Sequence, residues 1–319
     1  MLKEKKKLQH SKATKIGLVL GSGGARGYAH LGVLKVLYEA DIHIDLVVGT
    51  SFGAIVGAGY AAGRNIYELE KIALETGWIK LLKMIDVDPP KGIFAGNKLE
   101  RFFSVFTQQK HFSELKIPLT VVATDIEIGE EVLINKGSVS KAILASSAFP
   151  GIFAPVEIDN RWLVDGVLVN PLPIQTAFDM GADIVIAVDV SSSIDNVNYL
   201  IALKQYSKNI LQNICQIPYV NGVVSPKGIS NKFQRIIPAG FKIVGNALKV
   251  MEKNQDKMIF IPNDSNVAII RPRVENIRWR DFHRVQRCIK LGAEAVDHSV
   301  LNDIKNLSFN YKTLDLCSQ

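Results

Sequence analysis

Short apolar runs alternate along this chain with longer stretches in which apolar residues recur at helical spacing. Buried strands are predicted at 15–20, 46–48, 119–124 and 184–188. Helices are predicted from the apolar positions after residue 28, after residue 51, near Pro173, and at 66–76, 97–106 and 138–147. Strands that alternate with helices are typical of a mainly parallel sheet covered on both faces, so we predict a three-layer α/β fold.

The pattern predicts further elements outside this alternation. Residues 131–134 pair with the strand 119–124 across a short turn, and Trp162-Leu163-Val164 is an apolar run that leads into Asp165. A closing strand is expected at 267–270, a closing helix at 281–298 and a loose tail at 308–319. Because ligands bind at the carboxyl ends of parallel strands, the polar residues that follow apolar runs are expected to gather at one sheet edge. These are Ser51, the glycine-rich stretch after residue 20, Asp165 and Asp189.

The length of 319 residues, of which 47 % are hydrophobic, allows a sizeable core. We expect a disordered basic arm at 1–14, a single catalytic domain at 15–300 and a tail at 301–319. Residues 197–250 interrupt the alternation with apolar, basic helical segments. We interpret them as an insertion that forms either a lid or a membrane-facing segment.

The net charge of +7 is unevenly distributed. Residues 1–15 hold six lysines and one glutamate, and residues 197–250 hold six lysines and one arginine without any acid. The rest is mildly acidic and has no helix-turn-helix, zinc or RNA-binding signature, so no nucleic-acid partner is expected. Apolar helix faces fringed by lysine suit an anionic bilayer, so the insertion and the arm are predicted to dock there, with a solvated lid as the alternative.

The cysteines Cys215, Cys288 and Cys317 give neither a disulfide framework nor metal-ligand spacing. We therefore expect a reducing compartment and no metal or other cofactor. With no signal segment and no apolar run long enough to span a bilayer, we expect a cytoplasmic location, at most peripheral on the inner face of the membrane. The sequence leaves the oligomeric state open.

The stretch Gly49-Thr50-Ser51-Phe52-Gly53 follows a strand and precedes a helix rich in small residues. This order predicts a sharp turn that lifts the Ser51 hydroxyl to the N-terminus of the helix, where free N–H groups favour an oxyanion. Glycines at 49 and 53 fit because side chains there would clash in so tight a turn. The alternative is an ordinary turn with a helix-capping serine.

The first strand runs into the stretch Gly21-Ser22-Gly23-Gly24-Ala25-Arg26-Gly27. Dinucleotide binding is disfavoured because Arg26 stands where the last glycine of Gly-x-Gly-x-x-Gly belongs, and the second strand lacks the terminal acid that holds a ribose. A P-loop is excluded because Gly-Lys-Ser/Thr is missing. Successive small residues instead predict an oxyanion hole made of backbone N–H groups. The candidate donors are Gly23, Gly24, Ala25 and Arg26, and the Arg26 side chain either braces the loop, attracts an anionic substrate or lies on the surface.

A nucleophilic Ser51 needs a base. In a Ser–Asp–His order the histidine would be His283 or His298, but both lie in the late helical pattern, where a structural or exposed histidine is the better interpretation. The other candidate is Asp165 itself, which follows an apolar run and precedes a glycine. The alternative for Asp165 is a turn aspartate.

Together these motifs make the sequence similar to the patatin-like phospholipase family, especially its compact bacterial members. The resemblance covers about residues 15–190 and, more weakly, 266–295. It rests on the glycine-rich stretch at 21–27, Gly-x-Ser-x-Gly at 49–53 and Asp165-Gly166, in that order. The stretches 123–125 and 146–151 also look like the family.

The resemblance implies a Ser–Asp dyad without a catalytic histidine, in which Ser51 attacks an acyl carbonyl and Asp165 accepts its proton. N–H groups around Gly23 and Gly24 would hold the oxyanion, and water would hydrolyse the acyl-serine. The motif glycines that support this site are Gly21, Gly27, Gly49, Gly53 and Gly166.

The implied substrates are lipid acyl esters, namely phospholipids, lysophospholipids or neutral lipids. A non-enzymatic lipid-binding protein on the same scaffold, and an esterase or thioesterase for soluble acyl compounds, are the competing interpretations. This chain departs from the family pattern at Ser22, where glycine is usual, and at Val167, where glycine or alanine is usual. We expect Val167 to narrow the acyl pocket or to alter the turn.

Overall fold

The computed structural model describes residues 14–83, 87–88, 93–94, 96–150, 152–191, 247, 250 and 266–317. The predicted arm at 1–14 and insertion at 197–250 lie outside the described residues, apart from Thr14, Ala247 and Val250. Their predicted roles therefore stay predictions.

Ten strands are present in the described part of the chain. They are β1 (Ile16–Leu20), β2 (Leu46–Thr50), β3 (Val87–Asp88), β4 (Ile93–Phe94), β5 (Leu119–Asp125), β6 (Glu130–Ile134), β7 (Val156–Ile158), β8 (Arg161–Asp165), β9 (Ile184–Val188) and β10 (Val267–Ile270). The short strands β3 and β4 pair only with each other, and the other eight form one sheet.

The α-helices of the described residues are α1 (Ala29–Glu39), α2 (Phe52–Ala61), α3 (Ile66–Lys83), α4 (Asn97–Phe106), α5 (Val139–Ser146), α6 (Ile174–Asp179), α7 (Val285–Glu294) and α8 (His298–Cys317). Single turns of 3₁₀ helix at Gly24–Tyr28, Phe112–Glu114, Gly166–Leu168 and Phe282–Arg284 connect them to strands or precede other helices.

The centre of the sheet is parallel, in the order β10, β9, β1, β2, β5. Successive side chains of a strand point to opposite faces, and β1 shows the consequence. Leu18 and Leu20 pack into the core cluster that holds α1 to α5 and α7, whereas Val19 packs with Ile174 of α6 on the other face. This confirms the predicted α/β fold, with helices on both faces of a mainly parallel sheet.

The strands β6 and β8 are both antiparallel to β5 and lie on opposite sides of it. Residues 121–125 of β5 pair with β6 along one side, so the strands β2 and β8 share the other side of β5. Thr50, the last residue of β2, lies opposite Val122, and Asp165, the last residue of β8, lies opposite Ala123. The ends of β2 and β8 therefore meet head-on along one side of β5.

Two predictions about helices need correction. The predicted closing helix at 281–298 is a 3₁₀ turn followed by α7, and α8 then begins at His298, with an Asp297 carboxylate oxygen accepting the N–H of Val300 at 3.0 Å. The predicted tail at 301–319 is mostly helix, because α8 runs to Cys317 and buries Ile304 fully. The prediction of a tail missed the helical spacing of Val300 and Ile304, which pack on the core.

Candidate active site

The turn between β2 and α2 holds Ser51 in a backbone conformation that residues other than glycine rarely adopt, with φ of 55° and ψ of −122°. A Cβ atom at Gly49 would lie 2.6 Å from the Cα atom of Ala54, and one at Gly53 would lie 2.1 Å from the carbonyl oxygen of Leu20. Both positions therefore require glycine, as the sequence predicts. Such local strain persists only where the surrounding structure over-determines it, and it is concentrated at functional sites.

Ser146, at the end of α5, holds this turn in place. Its hydroxyl oxygen accepts the N–H of Ser51 at 2.8 Å and donates to the carbonyl oxygen of Val122 at 2.6 Å. The hydroxyl thus links the turn to β5 through two buried hydrogen bonds. Sequence reasoning missed this role, because a serine near a helix C-terminus carries no local signal of what it contacts in the fold.

The Ser51 hydroxyl donates to Oδ2 of Asp165 at 2.7 Å. The other carboxylate oxygen, Oδ1, accepts the N–H of Val167 at 2.9 Å, and the hydroxyl of Thr124 donates to the carbonyl oxygen of Asp165 at 2.8 Å. The head-on meeting of β2 and β8 brings the two side chains together, since their strand ends lie opposite consecutive residues of β5.

The carboxyl group of Asp165 is buried, and burial raises its pKa from 3.8 to about 7, while hydrogen bonds from the Val167 N–H and the Ser51 hydroxyl act in the opposite direction. Burial raises the pKa because it disfavours the charged form of a carboxyl group. A carboxylate with a pKa near neutral can take up a proton and return it at ordinary pH. This is the property that a general base needs.

Hydrogen bonds within and to the glycine-rich loop exclude two of the four predicted oxyanion donors. The N–H of Ala25 donates to the carbonyl oxygen of Trp279 at 2.7 Å, and the N–H of Arg26 donates to that of Gly23 at 3.2 Å. These two N–H groups are engaged, so the prediction that Ala25 and Arg26 are donors is wrong for this structure. The N–H groups of Gly23 and Gly24 have no acceptor among the described residues.

Gly24 needs its glycine for two reasons. Its φ is 55°, and a Cβ atom there would lie 2.4 Å from the carbonyl oxygen of Trp279. It also lines the same cavity as Ser51 and Asp165.

Two buried side chains brace this loop from behind. Nε2 of His30 lies 2.8 Å from the carbonyl oxygen of Gly21, and burial lowers the pKa of His30 to about 4, so the ring is neutral and donates from Nε2. The Arg26 side chain is 3 % exposed, and its Nε donates to the carbonyl oxygen of Ile277. Arg26 is thus a bracing residue and not a surface arginine. The role of His30 was missed, because nothing local in the sequence distinguishes it from the other histidines.

Ser51 and Asp165 line an apolar cavity of about 240 Å³. The helices α2, α3 and α4 contribute to its walls the side chains of Ile55, Leu69, Ile72, Phe102, Phe103 and Phe106. Val167 also lines it, beside the carboxyl group of Asp165. An apolar cavity that ends in a few polar groups is the usual form of a site for a largely apolar ligand.

Other candidates lie apart from this cavity. His283 and His298 are exposed, and neither has a hydrogen bond to Ser51 within the described ranges. Asp189 accepts the hydroxyl of Ser191 at 2.6 Å and faces Arg271 at 3.3 Å, and it does not line the cavity. Asp189 follows β9 at the same sheet edge as the glycine-rich loop, as predicted, because β9 runs parallel to β1 with Val188 opposite Leu20, but it takes no part in the cavity.

The described residues show neither a metal-binding cluster nor a membrane-spanning helix. They contain no group of three or more His, Cys, Asp and Glu side chains placed to hold a metal ion. Likewise, none of the helices built from these residues combines the length and the apolar character that crossing a bilayer demands.

The fold and the site define an α/β protein with a buried serine–aspartate pair that lines an apolar cavity. Among protein families, the model of the patatin-like phospholipases matches residues 18–178, about half of the chain. The chain belongs to this family, whose members are lipid hydrolases.

Individual relatives are similar to between 56 % and 59 % of the chain. An uncharacterised NTE-family protein of Mycobacterium tuberculosis is 37 % identical over 188 residues, which are 59 % of this chain and 52 % of that protein. Human patatin-like phospholipase domain-containing protein 6 is 38 % identical over 185 residues, 56 % of this chain and 13 % of that protein. Neuropathy target esterase of Drosophila melanogaster is 35 % identical over 188 residues, 56 % of this chain and 13 % of that protein. The chain thus spans about half the length of the first relative and a small part of the other two.

Proposed function

We propose that this protein is a serine hydrolase of lipid acyl esters, of the phospholipase A or lysophospholipase type, with Ser51 as nucleophile and Asp165 as its base. The observation that carries the proposal is the 2.7 Å hydrogen bond from the Ser51 hydroxyl to a buried carboxyl group that lines an apolar cavity. Membership of a lipid-hydrolase family and similarity to a protein named as an esterase support it.

The first step is the attack of the serine. Asp165 accepts the proton of the Ser51 hydroxyl while the oxygen forms a bond to the acyl carbonyl carbon, and the electron pair of the carbonyl π bond moves to its oxygen. The N–H groups of Gly24 and Gly23 donate to this oxyanion. One such preorganised donor lowers a barrier by about 3 kcal/mol.

The second step releases the alcohol, and the third step releases the acid. When the tetrahedral intermediate collapses, the bond to the alcohol oxygen breaks and Asp165 returns its proton to that oxygen. A water molecule then attacks the acyl-serine, Asp165 accepts a proton from it, and the fatty acid leaves as Ser51 regains its proton. The one carboxyl group serves in turn as base and as acid, which a pKa near neutral permits.

We also propose that the protein contacts an anionic membrane surface. The acid-free basic segment at 197–250 and the lysines of the arm support this by their charge. Sedimentation with vesicles tests it: binding should favour anionic over neutral vesicles and should weaken when Lys227, Lys232, Arg235 and Lys242 are neutralised. Equal binding to both vesicle types would contradict it.

A fluorophosphonate probe tests the chemistry directly. The intact protein is treated with the probe, and the adduct is located by mass spectrometry, beside Ser51→Ala, Asp165→Asn and, as the matched control, His283→Ala. We expect labelling of Ser51 in the wild type and in the control, and its loss in the first two variants. Hydrolysis of phospholipid and lysophospholipid micelles by the same four proteins then shows which lipid class is cleaved.

Each other result has a definite meaning. A folded wild type that takes no label and cleaves no ester contradicts the proposal and favours a lipid-binding protein. Activity on soluble esters that micelles leave unchanged favours an esterase for soluble acyl compounds. Loss of labelling in folded His283→Ala would replace the pair by a triad.

A further inference from the structure

The cavity beside Ser51 has a defined far end. On the face of α2 that lines it, Ser51 is followed by Ile55 and Val56, and the next residue on that face is Gly59. A Cβ atom at Gly59 would lie 2.5 Å from the ring of Phe106 and 2.7 Å from the side chain of Leu69. The two side chains therefore fill the space beside Gly59, and the cavity ends there.

Phe106 is held firmly in this position. It is the last residue of α4, and its ring stacks on that of Phe102 with centroids 6.0 Å apart. Arg64 fixes the backbone, because its Nη2 donates to the carbonyl oxygen of Val105 at 2.8 Å and its Nε donates to that of Phe106. Arg64 itself pairs with Glu68, one turn further along the chain.

The distance from Ser51 to this end follows from helix geometry. Gly59 lies eight residues after Ser51, and eight residues of helix advance about 12 Å. With carbon–carbon bonds of about 1.5 Å in a zigzag, an extended chain of roughly ten carbons covers that length.

On the basis of the function proposed above, we infer that Phe106, packed against Gly59, is the residue that sets acyl-chain length, and that the substrates are esters of medium-length straight-chain acids. Each methylene that enters the cavity leaves water, whereas the Phe106 ring keeps further methylenes of an extended chain from entering. The specificity constant should therefore rise by about fourfold per methylene until the chain meets Phe106, and then stop rising.

The experiment measures kcat/KM for p-nitrophenyl esters of straight-chain acids from acetate to palmitate. The wild type should show a break near decanoate. Phe106→Ala should move the break to chains several carbons longer, and Ile55→Phe, which narrows the cavity closer to Ser51, should move it to shorter ones. Phe106→Leu is a more conservative test, and Phe112→Leu is its control. Both phenylalanines are buried in the same core cluster, but Phe112 does not line the cavity.

A second measurement separates this inference from the proposed function. The Ser51→Ala protein is titrated calorimetrically with straight-chain fatty acids, and the gain in affinity per methylene should end at the same chain length as the esters do. If the binding break moves with Phe106→Ala while no ester is hydrolysed, the inference stands and the proposed function fails. If esters are hydrolysed but the break is absent, or is unmoved in Phe106→Ala and Phe106→Leu, the inference is overturned and the proposed function stands.

Discussion

In the proposed mechanism, the carboxyl group of Asp165 must be ionised to accept the proton of Ser51. Because burial raises its pKa to about 7, we expect kcat/KM to fall on the acid side with a midpoint near pH 7 and to reach a plateau above it. The measurement is a pH–rate profile with a short-chain ester, whose own charge does not change over this range. A profile that stays flat from pH 5 to pH 8 would contradict the assignment of Asp165 as the base.

In the proposed mechanism, Ser146 acts only through Ser51, because its hydroxyl oxygen accepts the Ser51 N–H. Ser146→Ala removes the acceptor of the Ser51 N–H and leaves that buried group without a partner, a cost of about 1 to 3 kcal/mol that falls on the turn itself. We expect kcat to drop by about 10- to 100-fold, while KM changes little, because misplacing a nucleophile slows the chemical step.

Steady-state kinetics on a short-chain ester measure this effect. The control is Ser140→Ala, another buried serine of α5, whose hydroxyl bonds to that of Ser138 at 2.9 Å. Equal losses of kcat in the two variants would mean that only general stability is at stake.

The β2–α2 turn depends on close backbone contact. Gly53→Ala would place a methyl group against the carbonyl oxygen of Leu20, a backbone atom that cannot move alone, so we expect a loss of about 3 kcal/mol in the free energy of unfolding. Gly57→Ala, one turn further along α2, first meets the side chain of Val47 at 2.9 Å, which can shift, and it gains helix propensity. Urea unfolding of both variants makes the comparison, and similar losses would contradict this account of the turn.

Much of this turn could be predicted from the sequence because its signals are local. An apolar run, two glycines around a serine and a small-residue helix all lie within one short segment of the chain. The direction of β8 could not be predicted in the same way. An apolar run such as that before Asp165 has the same composition in a parallel and in an antiparallel strand, and only its pairing with β5 decides between them.

The contacts of Ser146 and His30 belong to the same class of unpredictable features. Each is a buried polar residue inside a helical pattern. Ser146 contacts Ser51, which lies 95 residues away in the sequence, and His30 contacts Gly21, which lies 9 residues away. At Ala25 and Arg26 the sequence predicted a role that the structure does not support. Small residues predicted free N–H groups there, but the segment around Trp279, far along the chain, occupies one of them.

At the scale of the whole molecule, two buried groups set opposite pH dependences of stability. The pKa of Asp165 is raised in the folded protein. Its contribution to the free energy of unfolding is therefore fully present below 3.8, its pKa in the unfolded chain, and is lost as pH rises through about 7. The pKa of His30 is lowered in the folded protein. Its contribution to the free energy of unfolding is therefore fully present above 6.5, its pKa in the unfolded chain, and is lost as pH falls through about 4. Between pH 4 and 6.5 the two trends oppose each other.

Asp165→Asn removes one of these trends. Relative to the wild type, we expect the variant to gain about 4 kcal/mol of stability as pH rises from about 4 to 7, at 1.36 kcal/mol per pKa unit, and the difference to stay constant above that pH. Urea unfolding at several pH values measures the difference. A difference that does not change with pH would show that the Asp165 carboxyl group is not strongly perturbed in the folded state.

The head-on meeting of β2 and β8 on β5 has a consequence for how such a protein can diverge. The stretch of chain between Ser51 and Asp165 contains α3 and α4, which line part of the cavity, whereas the spacing of the pair is set by β5, by the β2–α2 turn and by the Ser146 hydroxyl that holds this turn. The helices can lengthen, shorten or exchange side chains without shifting the serine against the aspartate. Selectivity and reactivity are therefore separable traits in this fold, and a new substrate range can be acquired while the old chemistry keeps working.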